Sequence, residues 1–174
     1  MPHQKPNDEL YVDGGVIKKN PSPIGGTWAA RIIKNNVVVL EDAGVITPEY
    51  ARMAVISNNL TEMAALVFGL QHLPDDWKGT VYSDSAVTLG RAFKDYKWGG
   101  IPNWLQAAFR KQKSRLIYWH DFDYVNLQGH PTIEEIKAKV SKNGRPVSNH
   151  NKWCDDACSR VGDAYFKAWE KGLT

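Results

Sequence analysis

Residues 27–46 read TWAARIIKNNVVVLEDAGVI, and this stretch is the starting point for the fold. It contains two runs rich in β-branched residues, 27–34 and 37–46, which are separated by Asn35 and Asn36. Two such runs around a short polar turn are typical of a β-hairpin. The sequence therefore predicts a pair of adjacent antiparallel strands.

A further strand and a helix flank this hairpin. Residues 9–16, ELYVDGGV, predict a strand that ends at a glycine pair, and the Pro, Gly and Asn content of 18–26 predicts the following turn. Apolar residues recur at helical spacing in 60–73, at Met63, Leu66, Val67, Leu70 and Leu73. The first half of the chain therefore reads as three strands followed by a helix.

Strands and helices alternate in the second half of the chain. The predicted elements are a strand at 79–84, helices at 85–94 and 102–112, a strand at 122–128 and a C-terminal helix at 150–172. The polar segment 131–149 is predicted to be irregular. The order β-β-β-α-β-α-α-β-α predicts an α/β fold with a five-stranded mixed sheet flanked by helices.

Length and composition limit the classes of protein. A chain of 174 residues predicts one domain, 10–174, after a flexible N-terminal tail at 1–9. The net charge of +3 permits a nucleic-acid partner without requiring one. No apolar run approaches the ~18 residues of a membrane span, so we expect no membrane partner. Two cysteines four positions apart argue against a disulfide framework and predict a cytoplasmic protein, which we expect to be a monomer.

Four carboxylates stand at the ends of predicted elements, and each has a local explanation. Asp13 precedes two glycines, as a turn aspartate does. Glu62 falls three residues after Asn59, so it could close a capping box. Asp84 could cap the helix at 85–94. The fourth, Asp155, could be a charge in the first turn of the last helix.

The combination of these carboxylates favours chemistry over local structure. Strand ends and helix starts meet at one edge of an open sheet, where ligand sites form. Clustered carboxylates repel one another, and their pKa values rise unless cations neutralise them. Oxygen ligands suit Mg²⁺ or Mn²⁺, and two such ions ~4 Å apart are usual in phosphodiester cleavage.

Six motifs, in order, resemble the type 1 ribonuclease H family. They are VDGG (12–15), KNPSPIGGTWA (19–29), SNNLTEMAAL (57–66), YSDS (82–85), LQGH (127–130) and NKWCDDA (151–157). The resemblance implies a ribonuclease H-like fold and an endoribonuclease that hydrolyses the RNA strand of RNA/DNA hybrids. It further implies two Mg²⁺ ions, with Mn²⁺ as a substitute, and products with 5′-phosphate and 3′-hydroxyl ends.

The same resemblance implies roles for individual residues. It implies a metal-binding catalytic set of Asp13, Glu62, Asp84 and Asp155, with His130 assisting proton transfer or product release. Asp155 is preferred to Asp156 because it directly follows Cys154. The implied contacts to the hybrid are Gly14, Asn20, Ser57, Asn58 and Asn59.

The sequence departs from the family pattern in three places. Ala86 stands where many relatives carry a polar residue that contacts the substrate. Between residues 86 and 120 the short segment KDYKWGGIPNW replaces the long basic protrusion of some relatives. This region nevertheless contains seven basic residues and a single acidic one, Asp95. The basic residues are Arg91, Lys94, Lys97, Arg110, Lys111, Lys113 and Arg115. They predict either a solvated helix face or, with Trp98 or Trp104, a surface that contacts the phosphates of a nucleic acid.

The third departure is the length of 131–149, which separates His130 from Asp155. Basic residues of this segment could reach the substrate: Lys137, Lys139, Lys142 and Arg145. Just beyond it, His150, Cys154 and Cys158 cannot all bind one zinc ion. His150 and Cys158 are eight positions apart, and eight residues span ~12 Å of helix. The two cysteines are better explained as small buried side chains.

Three rival interpretations remain open. A proofreading-type 3′–5′ exonuclease places Asp-x-Glu in its first strand, whereas Gly15 stands at the second acidic position here. A hybrid-binding module without catalysis would usually lack one of the four carboxylates. The chain could also be a domain excised from a reverse transcriptase.

Overall fold

The computed structural model describes residues 8–139 and 143–174, which form one five-stranded sheet with helices packed on it. The strands are β1 (Asp8–Val16), β2 (Gly26–Lys34), β3 (Val37–Ile46), β4 (Thr80–Ser83) and β5 (Asp123–Asn126). Their order across the sheet is β3-β2-β1-β4-β5. The first three strands are antiparallel, whereas β4 is parallel to both β1 and β5. The predicted mixed sheet is therefore confirmed.

In the described residues, six α-helices and one 3₁₀ turn (Trp119–Asp121) connect or cover these strands. The helices are α1 (Pro48–Ala51), α2 (Asn58–Gln71), α3 (Ala86–Phe93), α4 (Asn103–Arg115), α5 (Ile133–Ala138) and α6 (Asn149–Glu170). The four longer ones match the predicted helices to within a few residues.

The differences from prediction lie in the short elements. The prediction that 131–149 is irregular is wrong for α5, because Thr132 and Glu135 form a capping box that starts a helix there. The predicted tail 1–9 is wrong at its end, since β1 begins at Asp8. Residues 1–7 lie outside the described part of the chain.

Alternate residues of β1 face two hydrophobic layers. Leu10 and Val12 belong to the larger one, where α2 buries Met63 and Leu66 completely. Burying a side chain of this size contributes about 1.5–3 kcal/mol, so α2 is a principal part of the core. Helix α4 packs on α2 and extends this layer.

The second layer is formed by α6 against the other face. Tyr11 of β1 and Ala29 of β2 pack there with Cys154 and Cys158 of α6. The predicted role of the two cysteines as buried side chains is thus confirmed, and burial raises both thiol pKa values. Within the described residues, no helix is both long enough and apolar enough to span a membrane.

Candidate active site

A cavity of about 520 Å³ lies where the ends of β1 and β4 meet α2 and α6. All four predicted carboxylates line it. The lining includes Asp13, Gly14, Asn20, Asn58, Glu62, Asp84, Gly129, His130 and Asp155. Carboxylates that are up to 142 positions apart in the sequence therefore share one space.

Asp13 lies inside β1, opposite Ala29 of β2, and only 6% of it is exposed. The interpretation as a turn aspartate is therefore wrong, because the strand continues through both following glycines. The backbone N–H of Gly14 donates to Asp13 Oδ1 at 2.9 Å. A Cβ on Gly14 would lie 2.5 Å from the carbonyl carbon of Thr61, so the glycine lets α2 approach β1 and brings Glu62 to the cavity.

Glu62 is the fifth residue of α2 and has no capping role. Helix α2 begins after Ser57, whose Oγ accepts from the backbone N–H of Leu60 at 3.1 Å. The capping box with Asn59 is therefore wrong. Instead, Asn58 Nδ2 donates to Glu62 Oε1 at 2.9 Å, and this amide holds the carboxylate from one turn away.

Asp84 directly follows β4, and the helix cap falls on the next residue. Ser85 Oγ accepts from the backbone N–H of Thr88 at 3.1 Å, so the interpretation of Asp84 as an N-cap is wrong and its carboxylate faces the cavity. Asn151, which is 1% exposed, hydrogen-bonds to Asp84 and lowers its pKa. Its Nδ2 also donates to the backbone oxygen of Gln128 at 3.0 Å.

Asp155 lies in the second turn of α6, which begins after Ser148. The interpretation as a first-turn charge is therefore wrong. Asp155 Oδ2 lies 3.2 Å from Nδ1 of His130, whose side chain is 86% exposed. The neighbouring Asp156 does not line the cavity but pairs with Lys152 at 3.2 Å. The geometry thus favours Asp155 over Asp156.

Burial and mutual repulsion raise the carboxyl pKa values in this cavity. The pKa of Asp13 lies well above its ordinary range, because of burial and then of Asp84, Asp155 and Glu62. Burial raises the pKa of Glu62 to about 7, partly offset by hydrogen bonds from Ser85 and Asn58. Burial also raises the pKa of Asp84, while nearby His130 lowers it. The cluster therefore binds protons or other cations in preference to staying fully ionised.

The donor set fits a hard divalent cation. Its oxygen atoms come from carboxylates, which Mg²⁺ and Mn²⁺ prefer, and their repulsion would be relieved by positive charge. Across residues 8–139 and 143–174, no three His, Cys, Asp or Glu side chains are already arranged as a complete ligand set. Binding of a divalent ion would therefore require movement of the side chains.

The structure separates the predicted hybrid contacts into two groups. Gly14, Asn20 and Asn58 line the cavity, and Asn20 Oδ1 accepts from the backbone N–H of Asn58 at 3.0 Å. Ser57 and Asn59 are not among the residues that line it. Ser57 caps α2, and Asn59 is exposed on the surface of that helix.

Sequence reasoning missed the residues that support the carboxylates. Ser85 and Asn151 hydrogen-bond to Glu62 and Asp84, respectively. Both fall inside the quoted motifs, and Asn151 stands one helical turn before Asp155. That spacing was a usable signal, because residues four apart share a helix face.

The basic residues of 86–120 do not act as one surface. Arg115 is held by Asp75 at 2.6 Å and by the backbone oxygen of Leu73 at 2.8 Å, so it is a structural residue. Trp104 Nε1 donates to the backbone oxygen of Ala51. Three of the other basic residues, Arg91, Arg110 and Lys113, line a cavity of about 290 Å³ together with Asp95, Tyr96, Trp98, Gln106 and Phe109.

The basic residues after His130 are placed as follows. Lys137 and Lys139 are exposed in or just after α5, and Arg145 Nη1 lies 3.4 Å from Asn126 Oδ1. The predicted contact at Lys142 lies outside the described residues. Ala86 is exposed at the start of α3.

Comparison with known proteins gives the context of this cavity. No family model matches the chain. A ribonuclease H of Caldicellulosiruptor saccharolyticus is 28% identical over 149 residues, which cover 84% of this chain and 90% of that protein. Together with the fold and the ordered motifs, this relative supports the resemblance to the type 1 ribonuclease H family.

Solved structures of type 1 ribonucleases H share the fold. LC11-RNase H1, isolated from compost by a metagenomic approach, matches with a TM-score of 0.62 and 18% identity, over 92% of this chain and 98% of that one. It has also been solved in complex with an RNA/DNA hybrid. RNase H1 of the archaeon Halobacterium salinarum matches with a TM-score of 0.60 and 15% identity, over 91% and 98% of the two chains.

Proposed function

We propose that this protein is an endoribonuclease that hydrolyses the RNA strand of RNA/DNA hybrids. The observation that carries the proposal is the convergence of Asp13, Glu62, Asp84 and Asp155 on one cavity. The relative from Caldicellulosiruptor is a ribonuclease H, and LC11-RNase H1 binds an RNA/DNA hybrid. Both relatives support an activity of this kind.

The four carboxylates would hold two Mg²⁺ ions, with Mn²⁺ as a substitute. When bound, such ions make a water molecule nucleophilic and neutralise charge on the oxygen that leaves. Asn58 restrains Glu62, and Asn151 restrains Asp84, so the ligands lose little freedom on binding. Hydrolysis breaks the bond between phosphorus and the 3′ oxygen, which leaves a 5′-phosphate and a 3′-hydroxyl.

His130 is suited to move a proton at the edge of this site. Its Nδ1 lies against Asp155 Oδ2 at 3.2 Å, so Nε2 is the ring nitrogen that remains for the substrate. The side chain is exposed, and it can exchange protons with solvent between cuts. A histidine is suited to this work because its ordinary pKa lies near neutrality.

The strand that is cut would be recognised by its 2′-hydroxyl groups. Asn20 and Asn58 stand beside the carboxylates, and their amides can both donate to and accept from a hydroxyl. Double helices that contain RNA expose 2′-hydroxyls in a wide, shallow minor groove. These amides would therefore favour the RNA strand.

The basic cavity between α3 and α4 would contact the phosphates of the hybrid. Arg110 and Lys113 contribute positive charge at its wall, and Trp98 and Tyr96 contribute aromatic surface. Neutralising phosphates in this way gives affinity that falls with salt concentration.

We further propose that residues 10–174 act as a single catalytic domain, monomeric and cytoplasmic. Light scattering of the purified protein tests the monomer.

The decisive assay uses a 5′-labelled RNA strand annealed to DNA, with RNA/RNA and DNA/DNA duplexes as controls. Each is incubated with Mg²⁺ or Mn²⁺, and again with EDTA. Internal cuts in the RNA of the hybrid alone, abolished by EDTA, are the expected result. Stepwise loss of end nucleotides would indicate an exonuclease instead. Binding without cleavage in either metal would refute the enzymatic proposal.

Neighbouring carboxylates provide a matched pair of variants. Asp155→Asn and Asp156→Asn change the same group at adjacent positions of α6, but only Asp155 lines the cavity. We expect the first variant to lose cleavage and the second to retain it. Asp84→Asn should also lose cleavage while the protein stays folded. Equal activity of the two α6 variants would contradict the assignment of Asp155.

A further inference from the structure

Gln128 ties the His130 loop to three other segments. This side chain is 5% exposed, although it lies only two residues before the exposed His130. Its backbone N–H donates to the oxygen of Pro146 at 2.8 Å, and its backbone oxygen accepts from Asn151 at 3.0 Å. Its side-chain Nε2 donates to Glu135 Oε2 at 2.6 Å. These three hydrogen bonds connect the His130 loop to α5, to Pro146 and to α6.

Glu135 uses its two oxygen atoms for two different partners. Oε1 accepts from the backbone N–H of Thr132 at 3.2 Å, which completes the capping box of α5. Oε2 accepts from Gln128. A single carboxylate therefore joins α5 to the segment that carries His130, and hydrogen bonds to a charged group are among the stronger ones.

His130 needs such support because its backbone is strained. Its φ of 48° lies in the left-handed region, which side chains other than glycine seldom adopt. Conformations of this kind persist only where the surroundings hold them. The adjacent Gly129 lies beside the carboxylate cavity, since a Cβ there would be in ordinary van der Waals contact with Asp84 Oδ2 at 3.5 Å.

We propose that Glu135 is a positioning residue, which holds the His130 loop against the carboxylate cavity through its hydrogen bond to Gln128. This inference rests on the proposed function for its catalytic consequence. The helix α5 that carries Glu135 belongs to the segment by which this chain departs from relatives with a compact loop. In this chain, the additional segment would therefore serve the reaction from outside the cavity.

The test uses Glu135→Gln, because glutamine keeps the size but offers only one acceptor oxygen for two donors. We expect kcat on the labelled hybrid to fall about tenfold, with KM unchanged. Glu134→Gln, an exposed neighbour on the same helix, should keep full activity. Gln128→Met should resemble Glu135→Gln, and combining them should cause no further loss.

A His130→Ala background separates positioning from general damage to the fold. If Glu135 acts through His130, Glu135→Gln should not lower kcat further once the imidazole is absent. The same fold-loss in both backgrounds would overturn the proposal, as would full activity of Glu135→Gln in the wild-type background.

Hydrogen exchange gives a readout that does not depend on cleavage. We expect the amides of 127–130 to exchange faster in Glu135→Gln than in Glu134→Gln, while those of α2 remain unchanged. A wild-type protein without activity would refute the proposed function but not this expectation. Unchanged exchange at 127–130 would refute the positioning role whether or not the protein cleaves hybrids.

Discussion

Replacing Glu62 by glutamine should stabilise the metal-free protein at alkaline pH. Burial raises the pKa of Glu62 from an ordinary 4.5 to about 7, so the folded protein holds a proton that the unfolded chain releases. The stabilisation by this group is complete below pH 4.5 and is lost as the pH rises to about 7. Glutamine resembles the protonated acid and retains this stabilisation at every pH.

The magnitude follows from the difference in pKa. One unit of pKa corresponds to about 1.4 kcal/mol, so a rise from 4.5 to about 7 corresponds to about 3 kcal/mol. The difference in the free energy of unfolding between Glu62→Gln and the wild type should therefore be near zero at pH 4.5. It should reach about 3 kcal/mol in favour of the variant at pH 8.

Urea unfolding in EDTA at several pH values measures this difference. Glu170→Gln, at the exposed end of α6, is the matched control and should not alter how stability depends on pH. The argument would be refuted if the difference in the free energy of unfolding between Glu62→Gln and the wild type were the same at pH 4.5 and pH 8. Saturating Mg²⁺ should reverse the order of stability, because binding the ion requires the ionised carboxylate.

Three further predictions concern packing, capping and substrate affinity. Gly14→Ala should destabilise the protein by about 3 kcal/mol in thermal or urea unfolding and lower activity, because the new Cβ would meet the Thr61 backbone. Ser148→Ala should cost about 1 kcal/mol, since Oγ of this residue caps α6. Replacing Arg110 and Lys113 by glutamine should raise the Kd for hybrid and flatten its dependence on salt by about two units of slope, as fluorescence anisotropy would show.

Each of these has a control in the same chain. Gly99→Ala introduces a Cβ with nothing within 4 Å and should be nearly neutral. Ser114→Ala, on the exposed surface of α4, should cost less than the loss of the α6 cap. Replacing Lys167 and Lys171 by glutamine removes the same charge at the C-terminal end of α6 and should leave the salt slope unchanged. A variant and its control with equal effects would contradict the corresponding prediction.

The sheet and long helices were predictable because their patterns are local. The apolar spacing around Met63 and Leu66 marks α2, and the paired β-rich runs mark β2 and β3. Helix starts were less predictable, since Ser57, Asn58 and Asn59 can all cap a helix. The choice of Ser57 follows from the backbone bridge between Ser22 and Ile56, which comes from a distant part of the chain.

Helix α5 and the supports of the site were missed for different reasons. Helix α5 buries no residue, so apolar periodicity could not reveal it, although Thr132 and Glu135 form a recognisable capping signature. The four carboxylates were singled out because the predicted strand ends and helix starts fell beside them, although Asp13 lies inside β1 and Asp155 in the second turn of α6. Ser85 and Asn151 act through hydrogen bonds to these carboxylates, and such pairings depend on tertiary geometry that the linear sequence does not state.

The distribution of the carboxylates along the chain has a consequence during synthesis. Asp13 lies in β1, whereas Asp155 lies 142 positions later in the sequence, in α6. The cavity is therefore incomplete until α6 has left the ribosome and packed on β1 and β2. The order of translation thus delays assembly of the carboxylate cavity until α6 has been made.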